Sequence, residues 1–431
     1  MLRTRLPRER SDWMLLALAA AIALFVGLLI TRSPVIAVGP VAALLAAVGL
    51  VRFGTVGIAL PPLLLCPWLL VFDDLIPPLL RTLTVAAAAG ALIVAVAPLR
   101  YEQRLVPIAA VIFLTLIGVQ ALISTDSEQL IQAAKYLIFP TMALAVTSDR
   151  SREVMSQLFL PVFASTLAAM AAHIGVIGAG LGATGTYYGA GEKLGFAPAI
   201  PHELALLGVV VAAAGLTVRR TWMQVLFFSI GAVPAVLTGV RSALLAALLI
   251  VIIYMVQSNV RLRAIVAVGA LGLVAVFSGA LGTATARFET ESSEFSSVST
   301  VGSGRGEIWS VAIGGWESEG PLAWLFGTGL RSIQEFEIRE LGATFVGHSD
   351  VVEVLVQLGL VGFVVWIGLW AGLFRAGLRG LVLIPVLVYA MVNGAIEYVA
   401  PLAVAIVLAA GCPPRPRRVK PGEPEPVAAR G

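Results

Sequence analysis

Apolar segments long enough to cross a membrane recur along almost the whole chain. A helix needs roughly 17 to 25 residues to cross the hydrocarbon of a bilayer, which is about 30 Å thick. Apolar segments of about this length cover residues 13–31, 35–51, 55–72, 82–98, 105–123, 130–147, 154–178, 202–218, 222–239, 242–258, 264–283, 349–373, 381–396 and 398–411. The short alternating segments of a membrane β-barrel are missing. The pattern predicts an all-α polytopic membrane protein with about 12 to 14 transmembrane helices.

Fourteen is an upper count of spans. The last two segments are divided around Glu397 and Pro401, and they and the short pair before Arg52 are also compatible with broken or re-entrant helices. The composition agrees with a membrane bundle, because 59% of the residues are hydrophobic and only 13% are charged. A soluble domain has about 25% charged residues. A single soluble core is therefore excluded.

The basic residues predict how the bundle is oriented. Lys and Arg in short loops favour the cytoplasmic side of a membrane. With the N-terminus inside, the register of spans puts 20 of the 29 basic residues in cytoplasmic loops and tails. We therefore expect a protein of the cytoplasmic (inner) membrane with both termini in the cytoplasm. The residues that could carry chemistry then lie on the extracytoplasmic face.

The same register predicts how the chain is divided. We expect a cytoplasmic N-terminus (1–12), a bundle of about eleven spans (13–283), an extracytoplasmic loop subdomain (284–347), C-terminal transmembrane helices (348–411) and a disordered basic cytoplasmic tail (412–431). Within the loop, residues 307–317 have apolar positions at helical spacing, which predicts an amphipathic helix on the membrane surface. Cys66 and Cys412 both fall in or at the end of apolar spans, so we expect neither a disulfide nor a metal site from them.

All three histidines fall at or near the predicted extracytoplasmic face. His173 and His202 lie at span ends, where a tolerated interfacial histidine is the commoner explanation. His348 has more polar neighbours, because Ser349 is a suitable N-cap for the helix that follows. Two carboxylates that would suit the positive end of that helix are Asp350 and Glu353. Capping explains these neighbours but not His348, which is therefore the candidate catalytic base.

Arginines on the same face are the second signal. Arg241 lies between two spans with almost no loop, and Arg305 and Arg331 lie in the long loop. Arginine is costly near hydrocarbon, and a planar guanidinium group suits bidentate phosphate binding. Ion pairs with Glu289, Glu307 or Glu335 are the alternative explanation, and they weigh most for Arg331 and Arg339. The arginines predict a site for a lipid diphosphate.

One histidine beside several arginines suits group transfer from a lipid diphosphate. Arginine would neutralise the leaving diphosphate, while a neutral imidazole would accept the proton of the attacking hydroxyl. No cofactor or metal is required, and no cluster with metal-ligand spacing, P-loop or nucleic-acid-binding patch is visible in the sequence. The predicted partners are a polyprenyl-diphosphate-linked glycan donor, an acceptor hydroxyl and the bilayer.

Three segments resemble the O-antigen ligase and polymerase superfamily of bacterial membrane glycosyltransferases. They are residues 238–244 (TGVRSAL), residues 303–309 (SGRGEIW), and His348-Ser349-Asp350 running into residues 356–362 (VQLGLVG). The turn Gly327-Thr328-Gly329 between the last two also fits. This chain has Ser349 where the family often has Asn, and Gln357 where it often has Glu.

The resemblance implies a fold and a reaction. It implies a GT-C-like bundle that moves a glycan from a polyprenyl-diphosphate carrier to a hydroxyl of a glycan, glycolipid or protein, inverting the anomeric centre without a metal. Arg241, Arg305 and Arg331 would then bind the diphosphate and His348 would be the general base. Asp350, Glu353, His202 and His173 are secondary candidates. Ligase and polymerase remain equally open.

Other functions remain open from the sequence. A transporter or lipid-linked-glycan flippase is the main alternative, although ion-coupled transporters usually place charges near the midplane and here they map toward the span ends. A peptidoglycan-polymerase-like enzyme would use an aspartate as base, with Asp73 and Asp350 as candidates. A purely structural scaffold would leave the grouped arginines and histidine unexplained.

Overall fold

The computed structural model describes residues 56–71, 76–123, 126–178, 184–186, 192–194, 201–218, 220–238, 240–257, 305–342 and 349–412. Several predicted features lie outside these ranges. They are the spans at 13–31, 35–51 and 264–283, both terminal segments, Asp73, and the candidate base His348.

The described residues form fifteen helices and one short hairpin. The helices are α1 Val56–Leu65, α2 Trp68–Val71, α3 Pro78–Val96, α4 Leu105–Ile123, α5 Ser127–Thr147, α6 Ser151–Gly178, α7 Pro201–Gly215, α8 Thr221–Thr238, α9 Arg241–Gln257, α10 Arg305–Ser318, α11 Pro321–Phe326, α12 Ser332–Leu341, α13 Asp350–Arg375, α14 Gly380–Val392 and α15 Val399–Gly411. Between α6 and α7, strands β1 (Thr184–Thr186) and β2 (Glu192–Leu194) pair antiparallel.

Membrane-spanning length confirms the predicted fold class. Within the described part of the chain, α3, α4, α5, α6 and α13 contain apolar stretches long enough to cross a bilayer, and shorter apolar helices accompany them. The protein is an all-α polytopic membrane protein. The total of 12 to 14 spans stays a prediction.

Close helix packing depends on small residues. Gly208 on α7 faces Gly231 on α8, and a methyl group on either glycine would collide with the other helix's backbone. Small residues allow helix backbones to approach closely inside a membrane bundle. Two prolines, Pro61 and Pro62, lie within α1, and the predicted span at 55–72 is broken between α1 and α2.

The bundle has two chemically different ends. At one, which we call the arginine end, Arg150 donates to the Ala97 carbonyl at 3.0 Å and the Arg379 N–H donates to the Ala409 carbonyl at 3.0 Å. The other, the polar end, consists of the starts of α5, α9, α10 and α13 together with the 393–398 loop between α14 and α15. The arginine end carries the loops that the sequence predicts to be cytoplasmic.

The described part of the long loop is packed against α13. Ala312 of α10, Ile333 and Phe336 of α12, and Val352 and Val356 of α13 form one buried apolar cluster. The helix predicted at 307–317 is therefore present as α10. Its apolar side contacts protein in this structure, so its position on a membrane surface stays a prediction.

Candidate functional site

Arg305 and the start of α9 are joined through one buried amide. Arg305 is the first residue of α10, and its Nη2 donates to the Asn393 Oδ1 at 2.8 Å. The Asn393 Nδ2 in turn donates to the hydroxyl of Ser242, the residue that follows Arg241. Asn393 is completely buried and ends α14. Two arginine-bearing segments that are distant in sequence therefore meet at one side chain.

Ser349, the residue that follows His348 in the chain, lies close to the same junction. Ser349 is the N-cap of α13, as predicted, because its hydroxyl accepts from the Val352 N–H at 3.5 Å. The same hydroxyl donates to the Met391 carbonyl at 2.9 Å, two residues before Asn393. His348 itself is outside the described residues. Ser349 anchors the start of α13 beside the Asn393 junction.

Asp350 binds the 393–398 loop, and Glu353 packs beside it. Both Asp350 oxygens accept from the Ile396 N–H, at 3.1 and 3.2 Å, and the carboxylate is buried. Gly394 has a φ of 75°, and a methyl group there would lie 3.4 Å from the Asp350 Oδ1 and 3.6 Å from the Glu353 Oε1. The two carboxylates therefore pack against a tight glycine turn that Asn393 precedes.

A partly buried ion pair supports the far side of this loop. The Lys135 Nζ lies 2.5 Å from the Glu397 Oε2, and the Gln132 Nε2 donates to the Glu397 Oε1 at 2.5 Å. Lys135 also interacts electrostatically with Glu353 and Glu203. Charged groups inside a membrane protein are costly unless paired. The pairing explains why these residues, predicted near the span ends, lie together there.

Arg331 is engaged by carboxylates of another helix. Its Nη1 lies 3.0 Å from the Asp126 Oδ2 and also contacts Glu128, both at the start of α5. Arg339 pairs with Glu340 at 3.1 Å. The alternative explanation of ion pairing thus describes Arg331 in this structure, although its partners differ from those that the sequence suggested. Diphosphate binding by Arg331 stays a prediction.

The remaining histidines occupy different surroundings. His202, at the start of α7, stacks on Tyr398 with ring centroids 6.3 Å apart, and Tyr398 contacts Tyr389 edge-on at 6.0 Å. His202 therefore lies at the polar end, near the 393–398 loop. His173 is buried in α6 and is 1% exposed. Neither position by itself assigns a chemical role.

The arrangement brings cationic and hydrogen-bonding groups to one membrane-proximal place. Guanidinium groups at the starts of α9 and α10 add to the positive end of each helix dipole, which favours an anion. Sequence reasoning missed Asn393, because an isolated Asn-Gly pair after an apolar segment indicates a helix end and nothing more. Only the folded chain connects it with Ser242 and Arg305.

Part of the chain matches a known protein family. Residues 225–367 match the family described as O-Antigen ligase. The matched region contains Arg241, Arg305, Arg331 and His348. The match confirms the predicted resemblance to the O-antigen ligase and polymerase superfamily and supports a glycosyltransferase-like activity. A search of curated proteins found no match.

Proposed function

Starting from the O-antigen ligase match over residues 225–367, we propose that this protein transfers a glycan from a polyprenyl-diphosphate carrier to an acceptor hydroxyl. The transfer would take place on the extracytoplasmic side of the cytoplasmic membrane. The observation that carries the proposal is the Asn393 junction, which links Arg305 to the helix start that bears Arg241. A guanidinium group at the junction and a second arginine at the adjoining helix start suit a diphosphate.

The proposed reaction is a single displacement. The acceptor oxygen forms a bond to the anomeric carbon, and the bond from that carbon to the phosphate oxygen breaks. The diphosphate leaves with the electron pair, and Arg241 and Arg305 neutralise its developing charge. His348 accepts the proton of the attacking hydroxyl. Attack from the side opposite the leaving group inverts the anomeric centre.

Glycan transfer by purified variants tests the proposal. Removing a group that stabilises transition-state charge costs about 10²- to 10³-fold in rate, and removing a general base costs about 10²- to 10⁴-fold. We expect losses of this size in His348→Ala, Arg241→Ala and Arg305→Ala, measured with a lipid-linked glycan donor in detergent or vesicles.

A matched control is available in the same region. Arg339 is exposed and pairs with its neighbour Glu340, so Arg339→Ala removes a positive charge without touching the junction. We expect this variant to transfer glycan at the normal rate. Full activity in His348→Ala and Arg241→Ala would refute the proposal. Movement of the lipid-linked glycan across vesicles without covalent transfer would favour a flippase instead.

The proposed mechanism also predicts that glycan transfer needs no metal ion. The arginines take the role that a divalent cation has in many diphosphate-using enzymes, so added chelator should leave the transfer rate unchanged. Loss of transfer on chelation, with recovery when Mg²⁺ or Mn²⁺ is restored, would contradict this part of the mechanism.

A further inference from the structure

The short helix α11 exposes an unusually apolar surface. None of its six residues is buried, and four large apolar side chains are exposed. They are Leu322 at 75%, Trp324 at 42%, Leu325 at 45% and Phe326 at 49%. Water disfavours a contiguous apolar patch of this kind, which usually marks a contact with a membrane or a partner. The surface therefore needs an occupant.

The position of α11 along α13 points to the bilayer. The turn after α11 packs at Gly359, where a methyl group would meet the Leu325 carbonyl and the Gly327 nitrogen. Gly359 divides α13 into two helical parts, because its own backbone conformation is not helical. The second part, residues 360–375, extends about 24 Å, which covers most of a hydrocarbon layer of about 30 Å. The level of Gly359 thus lies at or close to the edge of the hydrocarbon.

Neighbouring apolar surfaces continue the patch. Leu122 and Ile123 end the membrane-spanning helix α4 and are 87% and 74% exposed, and Leu360 of α13 is 44% exposed. The Gln120 Nε2 connects α4 directly to α11 by donating to the Phe326 carbonyl at 3.3 Å. The exposed face of α11 is therefore continuous with surfaces that contact lipid.

The backbone N–H groups of the turn after α11 meet a condition for immersion in lipid. Backbone groups inside hydrocarbon need a hydrogen-bond partner within the protein. The Gly327 N–H donates to the Ala323 carbonyl at 2.8 Å, and the Thr328 and Gly329 N–H groups donate to the Val356 and Gln357 carbonyls at 2.9 and 3.3 Å. Those two carbonyls precede the kink in α13 at Gly359. N–H groups of the turn and carbonyl groups of α13 thereby supply one another's hydrogen-bond partners.

We propose that α11 and the turn Gly327-Thr328-Gly329 form a re-entrant wedge whose exposed face lies among the acyl chains at the polar end of the bundle. The occupant of the patch is the lipid bilayer, and the inference does not depend on the proposed glycan transfer. It assigns to α11 the lipid contact that the sequence predicted for residues 307–317, whose apolar side packs on α12 and α13.

Spin-label accessibility in vesicles tests the wedge. Leu322→Cys and Leu325→Cys are made in a full-length chain with Cys66→Ala and Cys412→Ala, labelled with a nitroxide and reconstituted in phosphatidylcholine and phosphatidylglycerol vesicles. We expect frequent collisions with oxygen, which concentrates in hydrocarbon, and rare collisions with a water-soluble nickel chelate. Glu319→Cys and Glu340→Cys, which replace exposed polar residues nearby, should show the reverse.

A second measurement uses the native side chains. Brominated acyl chains should quench Trp324 fluorescence, so the quenched component should fall in Trp324→Phe. The wedge would be overturned if labels at positions 322 and 325 collided with the nickel chelate as often as a label at position 340 and Trp324 were not quenched. Low collision with both reagents at these positions would also overturn it, because that pattern indicates contact with protein, such as a second copy of the chain.

Discussion

At the scale of single residues, Asn393 is the most informative side chain of the candidate site. A neutral amide is both a donor and an acceptor, so one residue can hold a cation and a hydroxyl together. Asn393 uses both capacities, toward Arg305 and Ser242. An aspartate of the same shape accepts hydrogen bonds but, when ionised, cannot donate them. Replacing Asn393 by aspartate therefore tests whether the site needs only the shape of this side chain or also its lack of charge.

Two substitutions of Asn393 are expected to rank in an unusual order. Asn393→Ala loses a hydrogen bond to a charged partner, worth about 1.5 to 3 kcal/mol, and should weaken use of the lipid-linked donor about tenfold to a hundredfold. Asn393→Asp should weaken it further, because the new carboxylate pairs with Arg305 and competes with the diphosphate. KM for the donor and for the acceptor, measured separately, checks this.

Gln224→Ala is the matched control for these variants. Gln224 is a buried amide that donates to the Leu216 and Val218 carbonyls on the far side of the bundle, so its loss should lower stability but leave the donor KM unchanged. If Asn393→Asp is milder than Asn393→Ala, the site needs an acceptor at this position but not a neutral one. If Arg305→Ala is inactive while both Asn393 variants are normal, glycan transfer stands and the role of Asn393 does not.

The Lys135–Glu397 ion pair predicts a second residue-level effect. The two side chains are only 22% and 16% exposed. Lys135→Met should destabilise the protein by about 3 kcal/mol, because it leaves a carboxylate without its charge partner in a poorly solvated place. Lys135→Met with Glu397→Gln should recover part of that loss. Unfolding in detergent measures both; equal stability of the single and double variants would contradict the pairing argument.

At the scale of elements, the contact between α13 and the 327–329 turn depends on two glycines. Gly327 has a φ of 85° and Gly359 a φ of 70°, and a methyl group on either would meet backbone atoms of the other segment. Residues that have a side chain rarely adopt these backbone conformations. The glycines therefore permit a close backbone approach that a longer residue prevents.

Alanine at these positions should destabilise the protein. We expect Gly327→Ala and Gly359→Ala each to lower the free energy of unfolding by at least about 2 kcal/mol, from strain alone. Gly314 of α10 is the control, because a methyl group there meets no atom within 4 Å. Gly314→Ala should be neutral or stabilising by about 0.5 to 1 kcal/mol. A thermal shift of similar size in all three variants would disprove the tight contact.

The sequence predicts most helices of the described region well and their ends less well. Hydrophobic length alone locates α4 at residues 105–123, the bounds that the structure has. The segment predicted at 381–396 instead ends at Val392, because Asn393 leaves the helix and Gly394 takes a left-handed conformation. Pro401 lies in the first turn of α15, where a proline is tolerated, and does not break it. Those ends depend on tertiary partners such as Asp350.

The candidate site is predictable only in part, for a similar reason. Arg241 and Arg305 stand out because arginine is expensive near hydrocarbon, so a physical cost marks them in the sequence. No comparable physical cost marks Asn393, Ser242 or the Ile396 N–H in the sequence. Their importance comes from contacts across 88 to 151 residues between Asn393 and its two partners. Hydropathy and local spacing contain no information about such separations.

At the scale of the whole molecule, the two ends of the bundle predict a topology. If loops at the arginine end are cytoplasmic, an exposed residue there should be shielded in intact cells. In a chain without its two buried cysteines, Glu340→Cys near the polar end should react with a membrane-impermeant thiol reagent in intact cells. Gln103→Cys, exposed at the arginine end, should react only after the membrane is opened.

The opposite labelling pattern would invert the bundle. It would put the Arg241 and Arg305 region in the cytoplasm and remove the proposed extracytoplasmic transfer. Reaction of both cysteines in intact cells would show that the reagent crosses the membrane, and a reagent carrying a larger charged group then replaces it.

The junction at Asn393 has a consequence for exchanging parts between relatives. The family match stops at residue 367, inside α13, whereas the amide that holds Arg305 and the loop that Asp350 binds come from residues 393–398. A graft of residues 225–367 alone would combine the arginines of one protein with the 393–398 loop of another. We expect such hybrids to fold and yet transfer poorly. Hybrids in which the grafted segment continues through Tyr398 should regain transfer activity. The segment that must be exchanged as one piece is therefore longer than the segment that matches the family.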